Sequence, residues 1–123
     1  INAGHTEILL KTSDNIVKSL LKENQESIAG TFLGIPSMQL PYETITFSMA
    51  SGDYLLLYTD CLIESRNENE DFYDISNVKK AFLNAPHISA NEVLQFLLKD
   101  FYSFIKNKND LHDDLTVIII KKK

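Results

Sequence analysis

The segment Tyr54-Leu55-Leu56-Leu57-Tyr58-Thr59 constrains the fold of this chain more than any other. Its side chains are apolar almost without a break, so a strand built from it has no face to give to water and must be covered on both sides. Ser51-Gly52-Asp53 reads as the turn that leads into it, and Asp60 ends it. Further strands are predicted around it. Thr6 to Lys11 is one, Ser13, Asp14 and Asn15 form a turn, and the apolar run Ile16 to Leu21 reads as a hairpin partner. Gly30 to Pro36 carries glycines and a proline and reads as a loop. Tyr42 to Met49 alternates, with Glu43, Ile45, Phe47 and Met49 on one face, which predicts a half-buried strand. Leu115 to Ile120 is rich in β-branched residues and predicts the last strand.

Helical signals fall between the buried segment and that last strand. Ile75, Val78, Ala81 and Phe82 recur at helical spacing within Asp74 to Ala85, and Pro86 stops the pattern. Ser89-Ala90-Asn91-Glu92 is a capping box. The stripe Leu94, Leu97, Leu98, Phe101, Phe104 and Ile105 then predicts a helix from Ala90 to Lys106. Glu64 to Asp74 is an acidic surface loop whose spacing does not fit a helix-loop-helix calcium site. The expected class is α+β: four to five strands, mostly antiparallel, with two adjacent helices before the last strand.

Composition narrows the function. With 123 residues the chain is at most one domain, and at 44% apolar it is not intrinsically disordered. No apolar run approaches the ~20 residues that span a bilayer. Seventeen acidic against twelve basic residues leave a net charge of -5 and no basic face for nucleic acid beyond Lys121, Lys122 and Lys123. The single cysteine, Cys61, excludes an internal disulfide and sets a reducing, cytoplasmic location as the expectation. The chain begins Ile1-Asn2-Ala3-Gly4-His5 with no methionine and no signal peptide, and reads as a piece of a longer protein.

Carboxylates at the ends of apolar strands mark where chemistry belongs. Asp60 terminates the buried segment, and Asp113 and Asp114 lead into the last strand. If those strands are neighbours, the three acids converge at one end of a sheet. Clustered carboxylates repel one another unless a cation neutralises them, and Mg²⁺ or Mn²⁺ takes oxygen ligands of this kind. On spacing alone the simpler reading is that Asp60 caps a turn and the aspartate pair lies in solvent.

Five stretches, in order, alter that balance. They are Asn2-Ala3-Gly4-His5, Gly30-Thr31-Phe32-Leu33-Gly34-Ile35, Ser51 to Asp60, Glu64-Ser65-Arg66-Asn67, and Asp113-Asp114-Leu115-Thr116-Val117. Together they resemble the metal-dependent type 2C serine/threonine phosphatases, in particular the bacterial SpoIIE/RsbU-like branch. The resemblance implies an α-β-β-α sandwich of two antiparallel sheets flanked by helix pairs, of which this chain is the C-terminal portion. It implies two metal ions, Mn²⁺ or Mg²⁺, ~3.5–4 Å apart, and attack on phosphorus by a metal-activated water. By the family pattern Asp60 and Asp113 bind one metal, and Asp114 orients a metal-bound water. The implied substrate is phosphoserine or phosphothreonine on a STAS-type anti-sigma-factor antagonist, downstream of a sensor or receiver module, in a domain that often dimerises.

Three departures accompany the resemblance. The upstream aspartate that bridges both metals is not in this chain, so residues 1 to 123 alone are expected to be inactive and, as half a sandwich, to self-associate. Cys61 stands where the family has glycine and reads as a buried small hydrophobe. His5 stands where other relatives place a third-metal aspartate, and reads as a structural hydrogen-bonded residue or a substrate contact. Arg66 is expected to pair with Glu64 or to meet a phosphoprotein, while His87 and His112 have weaker claims. The alternative function is a pseudophosphatase that binds a partner and hydrolyses nothing.

Overall fold

A computed structural model describes residues 5–20, 44–106 and 111–123. The predicted Gly30 to Pro36 loop and the Asn2-Ala3-Gly4 stretch lie outside the described residues.

One antiparallel sheet organises what is described. Its strands are β1 (Leu9–Lys11), β2 (Val17–Ser19), β3 (Tyr54–Tyr58) and β4 (Val117–Lys121), in the order β2-β1-β3-β4. As its apolar sequence requires, β3 is central, paired with β1 through Leu9 and Leu56 and with β4 through Leu56 and Ile119. The β1–β2 hairpin turns at Ser13 to Asn15, with Asn15 at a φ of 60°. Asp53, itself buried, holds this turn by accepting from the amides of Ser13 at 2.9 Å and Ala50 at 2.8 Å. Gly52 has a φ of 92°, which an L side chain rarely adopts, and its amide continues the ladder by donating to Lys122 O.

Three helices follow β3: α1 (Cys61–Glu64), α2 (Asp74–Asn84) and α3 (Ala90–Ile105). All lie over one face of the sheet. Leu9, Tyr54, Leu56 and Tyr58 point into a core completed by Leu62 of α1, Val78 and Phe82 of α2, and Val93, Leu97 and Phe101 of α3. The opposite face carries a smaller cluster of Leu10, Leu20 and Leu55, flanked by Ile45, Met49 and Leu57. On that side Ile118 and Ile120 of β4 remain 49% and 48% exposed. The architecture is α+β, a sheet with one helical layer, as the sequence predicts. Among the described residues no helix is long and apolar enough to cross a membrane.

Two predicted elements differ. Thr44 to Ala50 is not a strand. Ile45 and Met49 do face the second cluster, so the alternation reports burial, but the backbone has no ladder partner among the described residues. And α1, where the sequence predicts no element between Asp60 and the loop from Glu64, is a single helical turn that begins at Cys61.

Candidate metal and phosphate site

The neighbouring strands β3 and β4 settle where the acids stand. The C-terminal end of β3 and the start of β4 meet, and the chain around Thr59 is fastened to the chain around Asp114. Thr59 N donates to Thr116 O at 3.0 Å. The Thr59 hydroxyl accepts from Thr116 N and donates to Asp114 O, both at 2.9 Å. One residue on, Cys61 Sγ donates to Asp113 O at 3.2 Å. Asp60, Asp113 and Asp114 therefore occupy one end of the sheet, all three exposed.

Each aspartate is partly committed. Asp60 caps α1, its Oδ1 accepting from Cys61 N at 3.0 Å, and Asp113 Oδ1 accepts from Asp114 N at 2.7 Å. Among the described residues none of the three forms an ion pair. Carboxylates at the ends of adjacent strands that no basic side chain pairs are hard oxygen donors, which is the chemistry that suits Mg²⁺ or Mn²⁺. The fit is partial: among the described residues no group of three or more His, Cys, Asp or Glu side chains is arranged to hold a metal. The capping role that spacing alone suggested for Asp60 is thus present, and among the described residues it leaves the second carboxylate oxygen without a hydrogen-bond partner.

His5 belongs to the same end. Beyond the start of β1 the chain runs on beside β3, where the Thr6 hydroxyl donates to Tyr58 O. His5 Nδ1 is 2.9 Å from Thr6 O, and the ring is exposed. His87 lies at the other end, its ring edge-on to Tyr54 with centroids 5.6 Å apart and Nε2 3.1 Å from Asn15 Oδ1. Burial, then Lys11 and Lys121, lower its pKa.

Beside Asp113 opens a cleft of about 550 Å³ lined by Cys61, Glu64, Ser65, Arg66, Glu70, Phe72, His112 and Asp113. Arg66 does not pair with Glu64, contrary to expectation. Its Nη1 meets Glu70 Oε2 at 2.9 Å and its guanidinium lies 4.3 Å over the Phe72 ring. The cause is a turn that the acidic composition concealed. Asn67 Oδ1 accepts from the amides of Asn69 and Asp71, which folds the chain back so that Arg66 bridges Phe72 in antiparallel fashion and faces Glu70. Cys61 is buried, as expected of a small hydrophobe, but also acts as a donor. Its neighbour Ser65, buried as well, donates to Cys61 O at 2.6 Å. The sequence reading assigned nothing to Thr59, Ser65, Glu70 or Phe72; for Thr59, a hydroxyl next to a strand-terminal aspartate was the available signal.

Comparison with known proteins gives the setting for this geometry. A family model described as Stage II sporulation protein E (SpoIIE) matches residues 1–123. No curated protein sequence matches the chain. Among solved structures, the Mn-presoaked phosphatase domain of the cell fate determinant SpoIIE from Bacillus subtilis aligns with a TM-score of 0.68 at 15% identity, over 98% of this chain and 48% of that one. The SiaA-PP2C domain of Pseudomonas aeruginosa aligns with a TM-score of 0.73 at 14% identity, over 98% and 44%. The RsbU and RsbW domains of a Mycobacterium tuberculosis protein align with a TM-score of 0.69 at 20% identity, over 98% and 31%. The chain thus spans less than half the length of each, and the likeness is one of fold.

Proposed function

We infer function from one premise: the chain belongs to the SpoIIE family. Family and fold together make it part of a PP2C-type phosphatase domain. The share of each solved structure that it covers supports reading it as a portion of that domain, and the order of its motifs makes the C-terminal portion our proposal. The finer proposal is a metal-dependent protein serine/threonine phosphatase, with Asp60 and Asp113 holding a divalent cation and Asp114 orienting water beside it. The observation that carries it is the meeting of Asp60 with Asp113 and Asp114 at the joined ends of β3 and β4, with no basic partner among the described residues.

Mn²⁺ or Mg²⁺, when bound, supplies Lewis acidity toward a phosphoryl oxygen and a water acidified enough to attack phosphorus near neutral pH. The chain's own residues do the holding. Thr59 clamps the two strand ends, so the spacing of Asp60 and Asp113 is set by β-sheet register. The amides of Cys61 and Asp114 each hold one oxygen of the preceding carboxylate, which restricts its rotation. The Cys61 thiol fixes the Asp113 carbonyl and with it the approach of the Leu111 to Asp114 segment to α1. His5, at the same end, is on this reading a candidate substrate contact. The substrate on this reading is a phosphoserine or phosphothreonine protein, of the STAS type by resemblance, and the compartment is the cytoplasm.

The test is Mn²⁺-dependent hydrolysis of p-nitrophenyl phosphate by the full-length protein that carries this chain. Asp60→Asn is expected to lower turnover by roughly 100-fold or more, since a direct ligand matters more than an outer partner worth 10–100-fold. Residues 1–123 by themselves are expected to give no turnover. Full activity in the variant, or none in the folded parent, overturns the proposal, and the latter outcome leaves a partner-binding pseudophosphatase.

A further inference from the structure

The cleft beside Asp113 contains a cation that the phosphatase chemistry leaves unused. Among its described lining residues Arg66 is the single lysine or arginine, against the carboxylates of Glu64, Glu70 and Asp113. Its position is built. Asn67 closes the turn through the amides of Asn69 and Asp71, Asn67 N donates to Asp71 O at 3.0 Å, and Arg66 and Phe72 bridge below it. Lys106, at the end of α3, ties the same turn down through Glu68 at 2.8 Å.

The side chain keeps unused capacity. A guanidinium offers five N–H donors in a fixed fork, and the Glu70 contact takes Nη1 alone. Stacking on Phe72 consumes no donor and holds the plane of the fork. The Arg66 and Glu70 side chains are 45% and 77% exposed, so their ion pair is one that water weakens and that an incoming anion can replace.

We propose that Arg66 is a specificity-determining residue that receives an acidic side chain of the phosphoprotein, displacing Glu70 as it does so. This rests on the phosphatase reading and says which proteins that centre selects. The location of Arg66 sets the register. Between it and Asp60 lie the four-residue turn α1 and Ser65. The turn rises about 6 Å, the two residues beyond it add up to about 3.3 Å each, and an extended peptide advances about 3.3 Å per residue, so the acidic side chain stands about two to four residues from the phosphorylated one. A neutral residue there leaves Arg66 with Glu70 and gains nothing.

The experiment measures binding of two peptides to the Mn²⁺-loaded full-length protein by calorimetry. Both carry a non-hydrolysable phosphonate analogue of phosphoserine. One has Asp and Glu at the second to fourth positions on either side, the other Asn and Gln. The acidic peptide is expected to bind about tenfold tighter, as charge-assisted bidentate contacts allow. Arg66→Ala reduces the preference to within about twofold, and Arg66→Lys retains part of it because the charge stays while the fork is lost. Glu70→Gln increases it by removing the internal competitor, a result that a merely structural Arg66–Glu70 pair does not give. An unchanged preference in Arg66→Ala, a fall in Glu70→Gln, or no binding of either peptide overturns the assignment. Turnover of p-nitrophenyl phosphate separates the two readings: a parent that hydrolyses it without peptide preference sinks the Arg66 role alone, and one that keeps the preference without hydrolysis sinks the phosphatase.

Discussion

Lys11 brings a cation into the core between sheet and helices, with no exposed surface and no carboxylate partner among the described residues. Its Nζ donates instead to Leu83 O at 3.0 Å and Ala85 O at 2.6 Å, carbonyls at the C-terminus of α2, where a positive charge complements the helix dipole. Burial lowers its pKa below the ordinary 10.5. In the interval between that lowered value and 10.5 the unfolded chain binds more protons than the native one, so stability rises with pH there. Tyr58 and Tyr73 act oppositely. Burial in both, Glu7 beside Tyr58 and the Asp100 hydrogen bond to Tyr73 raise their pKa values, so their contribution is present below the ordinary 10.0 and is lost as pH climbs above it. Lys11→Ala is expected to cost about 2–4 kcal/mol, through a cavity and unpaired carbonyls, and to abolish the alkaline rise. Denaturant unfolding at a series of pH values below 10 measures both; an unchanged slope with pH in the variant counts against the assignment to Lys11.

Helix α3 illustrates what an element can declare in advance. Ser89 Oγ accepts from Glu92 N at 3.1 Å and donates to the Glu92 carboxylate at 2.7 Å, so the capping-box pair meets through the serine hydroxyl. Ser89→Ala should lower stability by about 1 kcal/mol, seen as a fall in Tm. Leu97, Phe101 and Ile105 of the expected stripe are buried, legible because the helix offers a window long enough for the period to repeat, whereas Val93, outside the expected stripe, is buried in place of the half-buried Leu94. The four residues of α1 fall far below any such window. Tyr42 to Met49 misled for a different reason: alternation tells which side chains are covered and is silent about whether a neighbouring strand exists to complete the ladder. The same division holds at the site. Asp60, Asp113 and Asp114 were legible because the ends of apolar strands locate them. The partner of Arg66 was not, because it depends on a turn that Asn67 closes through its own side chain.

At the scale of the whole molecule the two faces of the sheet are unequal. The helical side is closed, while Ile118 and Ile120 leave the other side partly uncovered, at 49% and 48% exposure. Such a surface drives association. Residues 1–123 in isolation are expected to self-associate, and replacing both Ile118 and Ile120 by lysine should shift the population toward monomer in light scattering. A monomer at high concentration in the unaltered chain contradicts this. The clamp at Thr59 has a separate consequence. Everything from Cys61 to Asp113 leaves and re-enters through adjacent strands, so the two ends of this long excursion are bound to each other whatever lies between. The helices can then exchange residues, drift in sequence or lengthen while the acids at their base keep their places, and a fold shared at 14% to 20% identity becomes what such wiring permits.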